Sequence, residues 1–285
     1  MQHTLQSVFA TADQTLRLPQ SAVTVMELSQ AEETEASQLV EAIQIDPTFV
    51  ARLLRLANSP AYSRGTEVTE IDAAVSRLGF QEIGQLAIVM AAAKEFSKLE
   101  SELLRTTSFW SHSLTTAVLA RKKAAECGLR NGGIFVAGLL HDLGLPVEFS
   151  LCGESMIRAM DMSILADDIS LLTAEQHVLG FSHPELGAKL CEHWNLPSVV
   201  VETVRHHHSP ESAEHHREVV ALVAWANVVE TLGTEANLEE DLSPGMQLSL
   251  TEAQSILVDH SMSLPQNDEL LEEAQAEAAE MLAMF

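Results

Sequence analysis

The apolar residues of this chain recur at intervals of three and four, whereas the strict alternation expected of strands is scarce. The segment that begins at Asp46 shows the pattern well. Asp46 is a typical helix N-cap residue, and Pro47 suits the first helical turn. A stripe that would face a core follows at Val50, Leu53, Leu54 and Ala57. Glycines that could end helices in a left-handed conformation follow other segments, at Gly79, Gly128 and Gly233. The pattern predicts an all-α fold.

The net charge limits the partners of the chain. Its 285 residues include 16 lysines and arginines against 41 aspartates and glutamates, a formal net charge of −25. Such a field repels the phosphate backbone of nucleic acids and anionic membrane surfaces. We therefore expect no direct nucleic-acid binding. A site for an anionic phosphate substrate would depend on local cations or on metal ions.

Nothing in the sequence indicates secretion or membrane insertion. The first residues lack a basic stretch followed by an apolar one, and no run of about 18 apolar residues is free of charge. The three cysteines, Cys127, Cys152 and Cys191, are odd in number and have no CxxC spacing, which is typical of free thiols in a reducing compartment. These features predict a cytoplasmic protein without a membrane-spanning helix.

Several of the 12 histidines fall at helix positions where they could converge. His112 lies in mid-helix, and His141 with Asp142 ends an apolar helix. His183 opens a helix, just after Ser182 in a capping-box pattern. His207 and His208 close another helix. Imidazoles with a carboxylate suit Fe, Mn, Zn or similar ions, and a carboxylate flanked by imidazoles could bridge two ions that activate a water molecule.

Each histidine also has an ordinary structural interpretation. A lone histidine on an apolar face, such as His112, is usually a hydrogen-bonded core residue. The His141-Asp142 pair could be a capping interaction, and the histidines near residue 207 could form a solvated turn. Together they could also be a buried polar network that holds a structural metal or none.

Several motifs resemble the HDOD family (HD-related output domain). Those resembling its N-terminal half are IQIDPTFVARLLRLANSPAYSRG and IDAAVSRLG; those resembling its second half are GLLHDLG, HPELGAKLCEHWNLP and VRHHHSP. The resemblance covers roughly residues 16–210. It implies an N-terminal helical lobe over residues 1–100, an HD-like helical lobe with a His/Asp pocket over 101–232, and a C-terminal helical extension over 233–285. It also implies a role in bacterial signal transduction.

The wider HD superfamily hydrolyses phosphate esters, and its HD-GYP branch opens cyclic di-GMP at a centre of two or three metal ions. The resemblance therefore implies one or two divalent ions here, with Fe, Mn, Zn or Ni as candidates. Asp142 would be the catalytic residue if the protein is active. The ligands carried over by motif are His112, His141, Asp142, His183, His207, His208 and, as a weak ligand, Asn227.

Three departures from the family pattern favour a regulatory module over an enzyme. Asn227 stands where the family has a metal-binding aspartate, and Leu145 stands where a lysine often follows the HDxG segment. The sequence SPES follows His208 in place of a GYP motif. The sequence thus favours a regulatory protein that acts through contacts with an unidentified protein partner. The alternative is a metal-dependent phosphohydrolase of a nucleotide or cyclic dinucleotide.

Two segments are candidate contact surfaces for such a partner. One is the acidic stretch Glu239 to Asp241. The other is a terminal amphipathic helix with one apolar side, for which packing against its own domain is the favoured interpretation. The residues of that side are Leu270, Leu271, Ala274, Ala278, Met281 and Leu282.

Overall fold

The structure is a computed structural model that describes residues 4–31, 33–58, 62, 65–96, 99, 106–129, 133–166, 169–233, 243–259 and 268–283. Every regular element in these ranges is helical, so the all-α prediction is confirmed. In chain order the helices are α1 (Leu5–Thr15), α2 (Gln20–Gln30), α3 (Ala36–Gln44), α4 (Pro47–Ala57), α5 (Ile71–Leu78), α6 (Phe80–Phe96), α7 (Thr106–Glu126), α8 (Ile134–Leu140), α9 (Gly144–Leu165), α10 (Leu171–Val178), α11 (His183–His193), α12 (Ser198–His206), α13 (Arg217–Leu232), α14 (Pro244–Asp259) and α15 (Asp268–Leu282).

The helices form two compact units. One comprises Met1–Leu16 and Lys98–Ala279, and the other comprises Arg17–Ser97 and Glu280–Phe285. The three-part division predicted from the sequence, 1–100, 101–232 and 233–285, stays a prediction.

The smaller unit contains α2 to α6, with α2 packed along α6. The predicted start of α4 is confirmed, because the Asp46 side chain accepts hydrogen bonds from the backbone N–H groups of Thr48 and Phe49 at 2.9 and 3.3 Å. The buried face of α4 is rotated from the predicted stripe. Phe49 and Leu56 are buried together with Leu53 and Ala57, whereas Val50 and Leu54 are half-buried.

The larger unit holds every predicted metal ligand. In it α8 packs against α7 and α12, α13 packs against α7, and α11 packs against α9 and α12. The predicted capping box of α11 is confirmed, since Ser182 and Glu185 bond reciprocally. The spacing of Ser249 and Glu252 also predicts a capping box, and this prediction is wrong. Ser249 lies buried inside α14, where its hydroxyl donates to the His207 carbonyl at 3.3 Å.

Two glycines allow close helix packing around the turn that follows α8. A Cβ atom on Gly138 would lie 2.8 Å from the Ala117 Cα on α7. A Cβ atom on Gly144 would lie 2.1 Å from the carbonyl oxygen of His183, at the start of α11. Real Cβ contacts are longer, so glycine at these positions brings the turn at 141–143 against both neighbouring helices.

The apolar side of α15 is mostly buried, as its amphipathic pattern indicates. Leu270, Leu271, Ala274 and Ala278 have little exposed surface. On α7, Lys122 pairs with Glu273 at 2.8 Å, and Arg121 pairs with Glu277. The four apolar residues are therefore buried by the chain itself. The acidic stretch Glu239 to Asp241 lies outside the described residues.

One apolar stretch is long enough to cross a membrane by composition. It runs through α8 and α9, Ile134–Leu165, and 83% of its apolar window is buried inside the protein. The burial identifies the stretch as part of the core of the larger unit. The cytoplasmic location stays a prediction.

Candidate metal centre

Asp142 is the central residue of the histidine cluster. It lies in the turn between α8 and α9, and its two carboxylate oxygens face different imidazoles. Oδ2 lies 3.2 Å from Nε2 of His141 and 3.6 Å from Nε2 of His112. Oδ1 lies 3.2 Å from Nε2 of His207 and 3.4 Å from Nε2 of His183. The carboxylate therefore has the position of a bridge between two sets of donors.

These contacts define two half-sites that share Asp142. We call His183, His207 and His208 the inner half-site, and His112 and His141 the outer half-site. With Asp142, each offers ligand atoms that all lie within 4.8 Å of one another. The side chains of His183 and His207 are 2% and 0% exposed, whereas that of His112 is 22% exposed. The outer half-site thus reaches solvent through His112, and the inner half-site has one half-buried residue, His208.

Backbone carbonyls fix the orientation of one imidazole in each half-site. His141 follows the end of α8, and its Nδ1 donates to the carbonyl oxygen of Gly138 at 2.7 Å. His207 follows the end of α12, and its Nδ1 donates to the carbonyl oxygen of Val204 at 2.9 Å. A neutral imidazole that donates through Nδ1 has its free lone pair on Nε2. In both residues that atom faces Asp142.

Carboxylates fix two further imidazoles, and neither carboxylate was predicted from the sequence. Nδ1 of His183 lies 2.8 and 3.0 Å from the carboxylate oxygens of Glu175, which also accept the backbone N–H of His183 at 3.0 Å. Nδ1 of His112 bonds Glu230 on α13. A carboxylate behind a histidine is the usual outer partner of a metal ligand, because it orients the ring and raises its basicity.

A third missed carboxylate, Glu148 on α9, lies fully buried beside Glu175 and His183. Burial, and then the charge of Glu175, raises the pKa of Glu148 to about 9. Glu148 is therefore neutral near pH 7. Because Nδ1 of His183 already bonds Glu175, we assign Glu148 and Glu175 to the layer behind the ligands, not to a further ion site.

The three carboxylates differ in how far the local sequence indicates their role at the site. Glu230 lies three residues after Asn227, hence on the same face of α13. Glu148 is an acidic residue in an apolar segment, which could have marked it as a buried functional group. Glu175 has no local signal, because its role depends on how α10 packs near the start of α11.

The donor set fits divalent ions by two tests. Among the described residues, the buried atoms Asp142 Oδ1 and His207 Nε2 have no hydrogen-bond partner. In addition, Nε2 of His112 lies 3.2 Å from Nε2 of His141, and Nε2 of His183 lies 3.2 Å from Nε2 of His208. Two imidazole nitrogens this close repel unless a proton or a metal ion lies between them. Nitrogen and carboxylate donors together suit Zn, Fe, Mn and Ni.

Strong electrostatic coupling is visible in the pKa values of the site. Burial disfavours the carboxylate of Asp142, but His141 and the other imidazoles outweigh it and hold the pKa well below its usual range. Burial likewise disfavours charged His183, but Glu175 and Asp142 raise its pKa to about 10. Burial lowers the pKa of His207 to about 4, and it holds the pKa of His208 well below its usual range. Without metal the cluster thus holds protons on His183 and keeps His207 and His208 neutral.

The structure brings the six strongest predicted ligands together around Asp142. The seventh, Asn227, is buried on α13, where its side chain helps to raise the pKa of His112. Metal binding by these residues stays a prediction, as does the catalytic role of Asp142.

The HDOD domain family matches residues 16–210 of this chain. The match covers more than half of the sequence, and it agrees with the helical fold and with the ordered His/Asp motifs. The chain belongs to the HDOD family.

Two curated relatives are considerably longer than this chain. An uncharacterized protein of Treponema pallidum (strain Nichols) is 27% identical over 223 residues, which are 76% of this chain and 43% of that protein. Ribonuclease Y of Mesoplasma florum is 26% identical over 175 residues, which are 60% of this chain and 29% of that protein. The chain thus spans less than half the length of either relative.

Solved structures share the fold along almost the whole chain. An HDOD domain protein from Geobacter sulfurreducens is 22% identical, with a TM-score of 0.73 and 99% of both chains covered. A candidate phosphohydrolase from Shewanella amazonensis SB2B is 23% identical, with a TM-score of 0.71, 97% of this chain and 96% of that chain covered. Family and fold thus agree on an HDOD protein with an all-helical fold.

Proposed function

We propose that the protein binds a divalent transition-metal ion at each half-site and hydrolyses a phosphate ester in a signalling role. The observation that carries the proposal is the position of Asp142, whose two oxygens each face a separate pair of imidazoles. A single structural ion would not require a separate pair of imidazoles at each oxygen of one carboxylate. A carboxylate that bridges two ions would require this arrangement.

The two half-sites differ in the way that structural and catalytic metal sites differ in metalloenzymes. The inner half-site offers three imidazoles and Asp142, which is the closed four-ligand set of a structural site. The outer half-site offers two imidazoles and Asp142, so an ion held there would keep a coordination position for water or substrate, and the His112 side chain is partly exposed to solvent. A substrate would therefore bind at the outer half-site.

Ions bound at the two half-sites would act as Lewis acids toward a phosphoryl oxygen and would lower the pKa of a water molecule. The residues of the chain hold and orient the site. Asp142 links the half-sites, His141 and His207 are fixed by backbone carbonyls, and His183 is fixed by Glu175. Burial of His183 and His207 limits the access of competing water to the inner half-site.

Small phosphodiesters are the substrate class that charge and relatives favour together. The relative from Mesoplasma florum is a ribonuclease, and the Shewanella protein is a candidate phosphohydrolase. A net charge of −25 opposes a long nucleic acid, whose many phosphates would be repelled. A nucleotide or cyclic dinucleotide brings few charges, and the ions could offset them.

The test is a hydrolysis screen on protein purified without chelators or an affinity tag. Nucleotides, cyclic dinucleotides and a generic phosphodiester are each supplied with Mn²⁺, Fe²⁺, Zn²⁺ or Ni²⁺, and His141→Ala is the matched variant. We expect product release that the variant lacks. Protein that carries its ions and turns over none of these esters would contradict the hydrolase proposal.

A second candidate is a regulatory module that holds the ions without turnover and acts through protein contacts. Leu145 favours it, because the first turn of α9 then offers no cation for a phosphate group. The neutral Asn227 favours it as well. This candidate predicts bound ions, no hydrolysis, and a change in affinity for a protein partner when Asp142→Ala removes the ions.

A further inference from the structure

Glu230 and Asn227 both contact the ring of His112. They lie three residues apart on α13, so both project from one face of the helix toward α7. The Glu230 carboxylate bonds Nδ1 of His112, and the Asn227 side chain also raises the pKa of this histidine. No lysine or arginine in the described part of the chain pairs with Glu230.

We propose that Glu230 supplies, through His112, the negative charge that the outer half-site otherwise lacks, and that it is the positioning residue for this ligand. The inference rests on the proposed binding of two ions. It adds that the outer ion depends on a carboxylate that does not itself touch it.

The charges of the two half-sites lead to this assignment. Two divalent ions bring four positive charges into a largely buried cluster in which Asp142 is the one shared carboxylate. Behind the inner half-site, Glu175 bonds His183. A carboxylate at position 227 would offset the positive charge of the outer ion directly, but the side chain of Asn227 is a neutral amide. Glu230 therefore provides for the outer ion what Glu175 provides for the inner ion.

Geometry gives Glu230 a second effect. By accepting the Nδ1 proton of His112, it leaves the lone pair of that imidazole on Nε2, the atom that lies 3.6 Å from Asp142 Oδ2. A glutamine at position 230 could donate to Nδ1 instead. That would favour the opposite tautomer and turn an N–H toward the ion.

The experiment measures Zn²⁺ affinity and stoichiometry in four versions of the full chain after removal and readdition of metal: wild type, Glu230→Gln, Glu230→Gln with Asn227→Asp, and Glu273→Gln. The last is the matched control. It removes one carboxylate that pairs with Lys122 on α7, the helix that also carries His112. Circular dichroism confirms that each version is folded.

We expect wild type and Glu273→Gln to bind two ions, and Glu230→Gln to bind the weaker ion about 10 to 100-fold less tightly, as is typical when a ligand loses its carboxylate partner. The tighter ion should be unchanged. Asn227→Asp should restore most of the loss, because it returns a carboxylate to the same ring. A role of Glu230 in folding alone would not be rescued in this way.

Two results would overturn the inference: unchanged affinity for both ions in Glu230→Gln, or no rescue by Asn227→Asp in a folded double variant. If Glu230→Gln does not fold, Asn227→Asp alone remains decisive, since it should tighten the weaker ion and an unchanged affinity would overturn the inference. Wild type that binds no ion would instead refute the underlying proposal of a metal centre.

Discussion

The inner and outer half-sites share Asp142 but differ in ligand number and in the burial of the supporting carboxylate. The inner half-site has three imidazoles, and its carboxylate Glu175 is fully buried. The outer half-site has two imidazoles, and its carboxylate Glu230 is 17% exposed. The comparison indicates how one carboxylate can join a position that retains an ion to a position that remains accessible. Buried, fully liganded ions exchange slowly, whereas an ion with an open position can meet a substrate.

The largest effect is expected from Asp142→Ala, which removes the residue common to both half-sites. Both ions should bind at least about 100-fold more weakly, since the loss of a shared ligand exceeds the effect of losing an outer partner. Titration with Zn²⁺ measures this, with Asp161→Ala, on the exposed face of α9, as control. Loss of one ion with retention of the other would show that Asp142 does not bridge.

Glu175→Gln should weaken metal binding at the inner half-site and spare the outer one, which is the reverse of the effect expected for Glu230→Gln. A glutamine can donate to Nδ1 of His183 and favour the wrong tautomer, so the inner ion should weaken about 10 to 100-fold while the outer ion is retained. Stoichiometry at limiting Zn²⁺ measures the difference, with Glu154→Gln on α9 as control. Equal weakening of both ions would argue against independent supporting carboxylates.

Gly144→Ala tests whether close packing sets the distance between Asp142 and the inner half-site. The new methyl group would collide with the carbonyl of His183, so we expect about 1–3 kcal/mol lower unfolding free energy and weaker binding of the inner ion. Gly138→Ala, which meets Ala117 on α7, should instead affect the outer ion more. Urea unfolding and metal titration measure both variants, and identical effects on the two ions would contradict this division.

The smallest effect concerns pH in the metal-free protein. Glu148 keeps its proton in the folded state up to a pKa of about 9, while an unfolded glutamate loses it near the ordinary value of 4.5. The unfolded state therefore binds fewer protons between these values, and the free energy of unfolding falls as pH rises through that window. His183, with a pKa raised to about 10, acts in the same direction from its ordinary value of 6.5 upward.

Glu148→Gln should flatten the decline between about pH 5 and pH 9, because a neutral amide has no proton to lose. Urea unfolding at a series of pH values, with metal removed, measures the slope. An unchanged slope would show that Glu148 is not held neutral by its surroundings.

The convergence of the candidate ligand side chains could be predicted from the sequence because they lie in short motifs at helix ends. His141, His183 and His207 each follow or open a helix at a position that local pattern defines, and the start of α11 at Ser182 was predicted correctly. The all-α class followed from the spacing of apolar residues. Local patterns also misled, since Ser249 has the spacing of a capping box but lies within a helix and is buried.

The supporting carboxylates could not be predicted in the same way. Glu230 lies 118 residues from His112, and their contact depends on how α13 packs on α7. Glu175 reaches His183 from the preceding helix. Such contacts depend on tertiary packing, which residue spacing along one helix does not encode. The distinction between the two half-sites is therefore visible only in the folded chain.

The most direct test of the central claim is electron paramagnetic resonance of the protein loaded with Mn²⁺, together with elemental analysis of the same sample. We predict two ions per chain with an exchange-coupled spectrum, because Asp142 bridges them, and loss of that spectrum in Asp142→Ala. A single ion with an uncoupled spectrum, or no bound ion after loading, would contradict the account.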